Sequence, residues 1–207
     1  MTTDAKPRLD RDTRREAIID VAGDVFLGEG YTAASMSAIA ARLGGSKATL
    51  YNYFDSKEAL FRAYVQRHCA WQQEEMFGLL TDDADIRDAL TGVGQNFLTS
   101  VLSEFSMRNF RLIVAEAERS PEVGRAFYEA GPLTGMARLA DLLERAARKG
   151  ELRLADPLAA AHQFIGLCQN RMLKARLCNV APEPTPSEVE RDVAAAVETF
   201  MAAFGKI

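Results

Sequence analysis

Between Ser46 and Phe54 the chain reads SKATLYNYF, and helical spacing places Lys47 and Tyr51 on one side of a short helix and Leu50 and Phe54 on another. The first side offers an ammonium, hydroxyls and a phenol, groups that exchange hydrogen bonds without making or breaking covalent ones. An ammonium can donate to guanine O6 and N7, while hydroxyl and phenol groups such as those of Thr49 and Tyr51 suit phosphate oxygens. The rest of the sequence carries no rival chemistry. Its two histidines and three separated cysteines, Cys69, Cys168 and Cys178, form neither CxxC nor HExxH spacing. No nucleophile elbow, glycine-rich phosphate loop or hydroxyl with an identifiable base is found, so no enzyme, metal or cofactor is expected.

A contact surface of this kind needs a rigid mount, and the flanking residues predict one. Ser35 is a candidate N-cap for a helix carrying Ile39, Ala40 and Leu43, and Gly44-Gly45 can take the positive φ that stops it. Asp55, with Glu58 three residues on, reads as a capping box opening the next helix. Upstream, Ile18, Ala22, Val25 and Phe26 trace one face of a bracing helix from Thr13 to Leu27, closed by the glycines of GEG at 28–30. Two short helices around a glycine turn, with a brace before them, suit a helix-turn-helix. After Asp55 the apolar spacing continues through Leu60, Tyr64, His68 and Trp71 to Met76, a rod of roughly 30 Å, with Gly78 and the TDDAD turn closing it.

This stretch resembles the TetR-type one-component transcriptional regulators. The likeness lies in FLGEGY at 26–31, in Met36 and Ile39-Ala40, in SKATLY at 46–51, in Tyr53-Phe54 and in SKEAL at 56–60. A second likeness, to the body of the AefR-like branch, lies in RLIVAEAERSPEVGRAFYEAGP from Arg111 to Pro132, GEL at 150–152, Asp156-Pro157 and GLC at 166–168. The resemblance implies an all-α fold: a three-helix helix-turn-helix head on a larger C-terminal helical bundle of about nine helices. It implies a flexible arm over residues 1–12, a DNA-binding domain over 13–56 and a ligand-binding and dimerisation domain over 57–207. Ser46, Lys47, Ala48, Thr49, Tyr51 and Asn52 fall on the family's DNA-contacting positions. Lys57, Thr32 and Ser35 are expected to add phosphate contacts, and Lys6, Arg8 or Arg11 of the arm either touch DNA or belong to a plain tail.

In the body, Gly131-Pro132 predicts a kink or break, Asp156-Pro157 opens a helix expected to run to about Leu177, and Thr185 with Glu188 caps a last one. By resemblance, these last two long helices dock against their twins in a homodimer. Candidates for a ligand site are His68, Trp71, Phe97, Phe105, Phe110, Phe127, Phe164, Cys168 and Met172; each has core packing as its alternative. His162, Gln163, Gln169, Asn170 and Arg171 are polar residues on or near the same faces. The implied function is a repressor on a palindromic operator, released by a hydrophobic or aromatic small molecule and controlling efflux or stress genes. The alternative is an architectural or partner-controlled DNA-binding protein with a filled body; a void of several hundred cubic ångströms separates the two.

Composition agrees with an ordinary globule: 48% of the 207 residues are hydrophobic and 26% charged. The net charge of -4 divides unevenly, since residues 1–67 hold ten Lys or Arg against nine Asp or Glu, and the remainder fifteen against twenty. Binding to a polyanion must therefore rest on a few placed groups. The opening MTTDAKPRLDRD lacks the apolar core of a signal peptide and no apolar run is long enough to span a bilayer. Three scattered cysteines are expected to be buried thiols, and a cytoplasmic setting with no membrane partner follows as the expectation.

Overall fold

The computed structural model describes residues 10–78 and 84–206. Residues 1–9 of the arm, with Lys6 and Arg8, and most of the TDDAD turn lie outside the described residues, while Arg11 and Asp12, expected in the arm, form the first turn of a helix. Three helices make the head: α1 (Arg11–Glu29), α2 (Met36–Arg42) and α3 (Lys47–Tyr51). The body holds α4 (Lys57–Phe77), α5 (Ile86–Val101), α6 (Glu104–Glu116), α7 (Pro121–Tyr128), a π-helical turn (Glu129–Leu133), α8 (Thr134–Lys149), α9 (Pro157–Gln169), α10 (Leu173–Leu177) and α11 (Pro186–Phe204). The fold is all-α, and the described residues contain no strand, only an isolated antiparallel bridge between Leu152 and Gly205.

Local capping follows the hydroxyls. Ser35 accepts from the Ala38 amide and Ser46 from the Thr49 amide, while Gly44 takes φ +64° between the two helices. Thr185 and Glu188 form a reciprocal capping box. The cap of α4 is Ser56 rather than Asp55. Ser56 has the extended backbone of an N-cap and accepts from Ala59, which leaves Glu58 one position too early for the box.

Two apolar cores result. The head's gathers Ile18, Val25, Phe26, Ile39, Leu50, Phe61 and Tyr64, and it takes in Ile113 of α6 and Val123 of α7. The body's is built from α5, α8, α9 and α11, with Phe164 edge-on to Phe200 at 5.5 Å. Joining them, α4 lies against α1 so closely that Gly23 has room for no side chain: a Cβ there would sit 2.4 Å from the Tyr64 ring. Arg67 of α4 fastens the same contact by ion pairs to Glu16 and Asp20.

Two departures from regular helix shape the body. At Pro132, which has no amide proton, the chain widens into the π-helical turn instead of breaking. Thr134 Oγ1 then donates to the Glu129 carbonyl and Gln73 Nε2 to that of Gly131. The helix expected to reach Leu177 instead stops at Gln169 and resumes as α10. The cause is tertiary. Arg176, only 3% exposed, donates to the Leu102 and Ala181 carbonyls and to Glu104, while Arg111 donates to the carbonyls of Arg176 and Leu177. Cys69 and Cys168 are buried, but Cys178, which follows α10 at its cap, is exposed.

Candidate nucleic-acid interface and body cavity

The second helix of the helix-turn-helix packs on α2 and is anchored by Leu50, which is buried in the head's core. That anchoring turns Ser46, Lys47, Ala48, Tyr51 and Asn52 outward, with Thr49 half-buried. The Ser46 and Thr49 hydroxyls share a hydrogen bond of 2.9 Å, and the Lys47 ammonium lies 5.7 Å from the centre of the Tyr51 ring. One exposed face thus carries a cation, paired hydroxyls and a phenol, with Ser35 exposed at the start of α2.

Lys57 and Thr32 stand elsewhere than expected. The Lys57 ammonium turns back under the α1–α2 link and donates to the carbonyls of Tyr31, Thr32 and Ala34 at 2.8, 3.4 and 3.2 Å. It also sits over the Tyr31 ring at 4.4 Å. All three of its donors are thereby occupied. Thr32 Oγ1 donates to Glu116 on α6 at 2.5 Å, and the Tyr31 hydroxyl donates to Glu122 on α7 at 3.4 Å. These bonds tie the link ahead of α2 to the body.

Within the body a cavity of about 490 Å³ opens among α4 to α10. Phe97, Phe110, Phe127, Met76, Met107 and Met136 give it apolar walls, and His68, Gln72, Gln73, Ser100, Ser106 and Asn109 add polar groups. Several of the latter are already engaged: Gln72 donates to Ser106, and Asn109 accepts from the buried Tyr64 hydroxyl. Burial, with the Arg67 charge beside it, pushes the His68 imidazole down to about 4, so it is neutral at pH 7. Burial likewise raises the Tyr64 phenol to about 12 and the Cys69 and Cys168 thiols to about 12, which keeps all three protonated. No group of His, Cys, Asp or Glu among the described residues is arranged to hold a metal ion.

Residues 18–64 match the family model of bacterial regulatory proteins of the tetR family, and residues 88–206, more than half of the chain, match the C-terminal domain of AefR-like transcriptional repressors. The chain belongs to the TetR family. Its members are transcriptional regulators that bind DNA, not enzymes. This TetR-family chain is 37% identical over 106 residues to the transcriptional activator FasR of Mycolicibacterium smegmatis, a match covering 51% of this chain and 48% of that protein. The aligned part thus spans about half of that relative. With the regulator UidR of Escherichia coli it shares 28% identity over 153 residues, 73% of this chain and 72% of that one. Among solved structures, a TetR-family regulator from Mesorhizobium loti superposes with a TM-score of 0.84 at 29% identity, over 96% of this chain and 100% of that one. FrrA, described as a flavonoid-responsive regulator, superposes with a TM-score of 0.83 at 32% identity, over 93% and 97%.

Of the residues expected around a ligand in this TetR-family body, His68, Phe97, Phe110 and Phe127 line the cavity. Trp71 and Phe105 are exposed, one stacked on His68 and the other edge-on to it. Phe164, Cys168 and Met172 are buried in the core and do not line the cavity. Of the polar residues noted on the same faces, His162 and Gln169 line it, Gln163 and Asn170 face outward, and Arg171 pairs with Asp192 at 2.8 Å. Sequence reasoning missed Gln72, Gln73, Ser100, Ser106 and Asn109. Their signal was polarity at inward helical positions, as in Ser106 and Asn109 on either side of the buried Met107. No helix among the described residues is long and apolar enough to cross a membrane.

Proposed function

We propose that this regulator is a homodimeric repressor whose two heads read half-sites of a near-palindromic operator about 34–36 Å apart, and that an apolar or aromatic molecule in the body cavity releases it. In this reading Lys47 reads a base edge, Thr49, Tyr51 and the neighbouring Ser46, Ala48 and Asn52 seat the helix against the backbone, and Ser35 meets phosphate. The α9 and α11 faces that present Leu158, Ala159 and Gly166, and Ala194, Ala195 and Ala202, to solvent pack against their twins. Efflux or stress genes are the proposed targets.

The observation that carries the reading is the position of the cavity across the seam of the two cores. The Phe110 and Phe127 rings lie 5.6 Å apart in its wall; Phe110 packs on the body's core and Phe127 on the head's. An occupant that moves Phe127 therefore acts on the apolar core to which Leu50 of the reading helix also belongs. Release requires the occupant to prefer the DNA-incompetent conformer by a few kcal/mol. A void of this size favours a small-molecule effector over a filled, partner-controlled body, and a flavonoid-responsive neighbour supports an aromatic one. Genome-wide mapping of bound DNA supplies the operator; anisotropy titrations on that fragment with a library of hydrophobic compounds then test release. A library that leaves the complex intact while a partner protein dissociates it defeats the effector reading.

A further inference from the structure

We infer that the effector is an uncharged aromatic molecule carrying a hydrogen-bond donor, and that Gln73 selects it. This rests on the reading of the cavity as the effector site. Among the described residues that line the cavity there is no Asp, Glu, Lys or Arg. A charged ligand would lose its hydration there without a counter-ion, which disfavours it strongly. The His68 imidazole is neutral at pH 7 and supplies no cation.

Two atoms of the wall are buried and have no hydrogen-bond partner, Gln73 Oε1 and Ser100 Oγ. The Gln73 amide cannot exchange its ends to cure this. Its Nε2 is committed to the Gly131 carbonyl at 3.3 Å, a bond only the nitrogen can donate, so the oxygen is the atom left over. The space it occupies is provided by Gly135, where a Cβ would come within 2.8 Å of Nε2. The wall therefore holds a fixed acceptor and a hydroxyl without partners just beneath the cavity surface, beside the lining side chains of His68, His162 and Gln169, while Gln72, Ser106 and Asn109 are engaged with protein partners. A phenol-type O–H meets the Gln73 oxygen. An ether at that place would set two acceptors against each other, and an unsubstituted ring would leave the oxygen unpaired.

The test uses the full-length protein and four probes of one shape: biphenyl, para-phenylphenol, para-methoxybiphenyl and biphenyl-para-carboxylate. Calorimetry gives binding, and anisotropy on the mapped DNA fragment gives release. The phenol should bind at least about tenfold more tightly than each of the others, the size expected for satisfying a buried polar atom. In Gln73→Leu, verified as folded by its melting curve, the phenol-over-ether ratio should shrink to about threefold or less, whereas Ser100→Ala, which removes a hydroxyl able to donate to an ether as well as accept from a phenol, should keep it. The inference alone is overturned if the ether, the bare hydrocarbon or the carboxylate binds as well as the phenol, if Gln73→Leu keeps the full ratio, or if Ser100→Ala loses it. If none of the four binds while DNA binding persists, the inference falls together with the effector reading.

Discussion

The Thr32 hydroxyl of the α1–α2 link donates to the Glu116 carboxylate near the end of α6 at 2.5 Å, and the Thr32 amide donates to the same side chain at 3.4 Å. The same helix supplies Ser106, Met107, Asn109 and Phe110 to the cavity wall, so one rigid element touches both the cavity and the start of the helix-turn-helix. If α6 carries the effector's influence, Thr32→Val and Glu116→Ala should each leave the effector-free operator affinity nearly unchanged. The ratio of operator affinities without and with effector should fall by about fivefold, as suits an exposed charge-assisted bond. The double variant should add little. An unchanged ratio in both single variants sinks the relay.

Lys57 separates structural from phosphate-binding cations. Its three donors are spent on the carbonyls of Tyr31, Thr32 and Ala34, so Lys57→Met should cost about 1–3 kcal/mol of stability in denaturant titrations. The salt dependence of operator binding should keep its slope; a phosphate contact would lower it by about one unit. Lys47→Ala should instead change the preferred base at one operator position, whereas Tyr51→Phe should weaken all sequences alike.

Local chemistry was legible in the sequence, and convergence was not. Ser35, Ser46 and Thr185 each satisfy amides within their own next turn, so a few neighbouring residues suffice to foresee the helix starts. The end of α9 depends on Arg176 finding Leu102 and Glu104, over seventy residues away, and nothing near Asn170 announces it. The cavity was half legible for a related reason. An aromatic stripe reads the same whether it fills a core, as Phe164 does against Phe200, or lines a void, as Phe110 and Phe127 do. Gln73 and Ser100 gain meaning only when seven helices and the π-helical turn bring their uncompensated atoms to one space.

The contact between α1 and α4 predicts opposite outcomes for two glycines of one helix. At Gly23 a methyl group would come 2.4 Å from Tyr64 Cε2, and the ring is held in place by its bond to Asn109. Gly23→Ala should therefore destabilise the protein by about 1–3 kcal/mol. Nothing lies within 4 Å of a Cβ at Gly28, so Gly28→Ala should stabilise it by about 0.5–1 kcal/mol through the unfolded chain's entropy. Urea titrations of both variants measure the difference, and equal effects would contradict the close packing.

His68 predicts an acid-side loss of stability. Burial and the neighbouring Arg67 charge hold its imidazole at about 4, below the usual 6.5. Well above pH 6.5 the ring is neutral in both folded and unfolded chains and adds no pH dependence. As the pH falls from 6.5 toward 4, the unfolded chain takes up a proton that the folded chain refuses, so stability declines; below the folded value the decline stops. Between about pH 7 and about pH 5 the loss assigned to this residue is ~2 kcal/mol. His68→Gln, which keeps a neutral polar side chain, should lose that part of the slope while the carboxylate titrations below it persist. Urea unfolding of both proteins at the two pH values isolates it as a difference. Parallel slopes would mean that the imidazole remains hydrated and is not part of a dry wall.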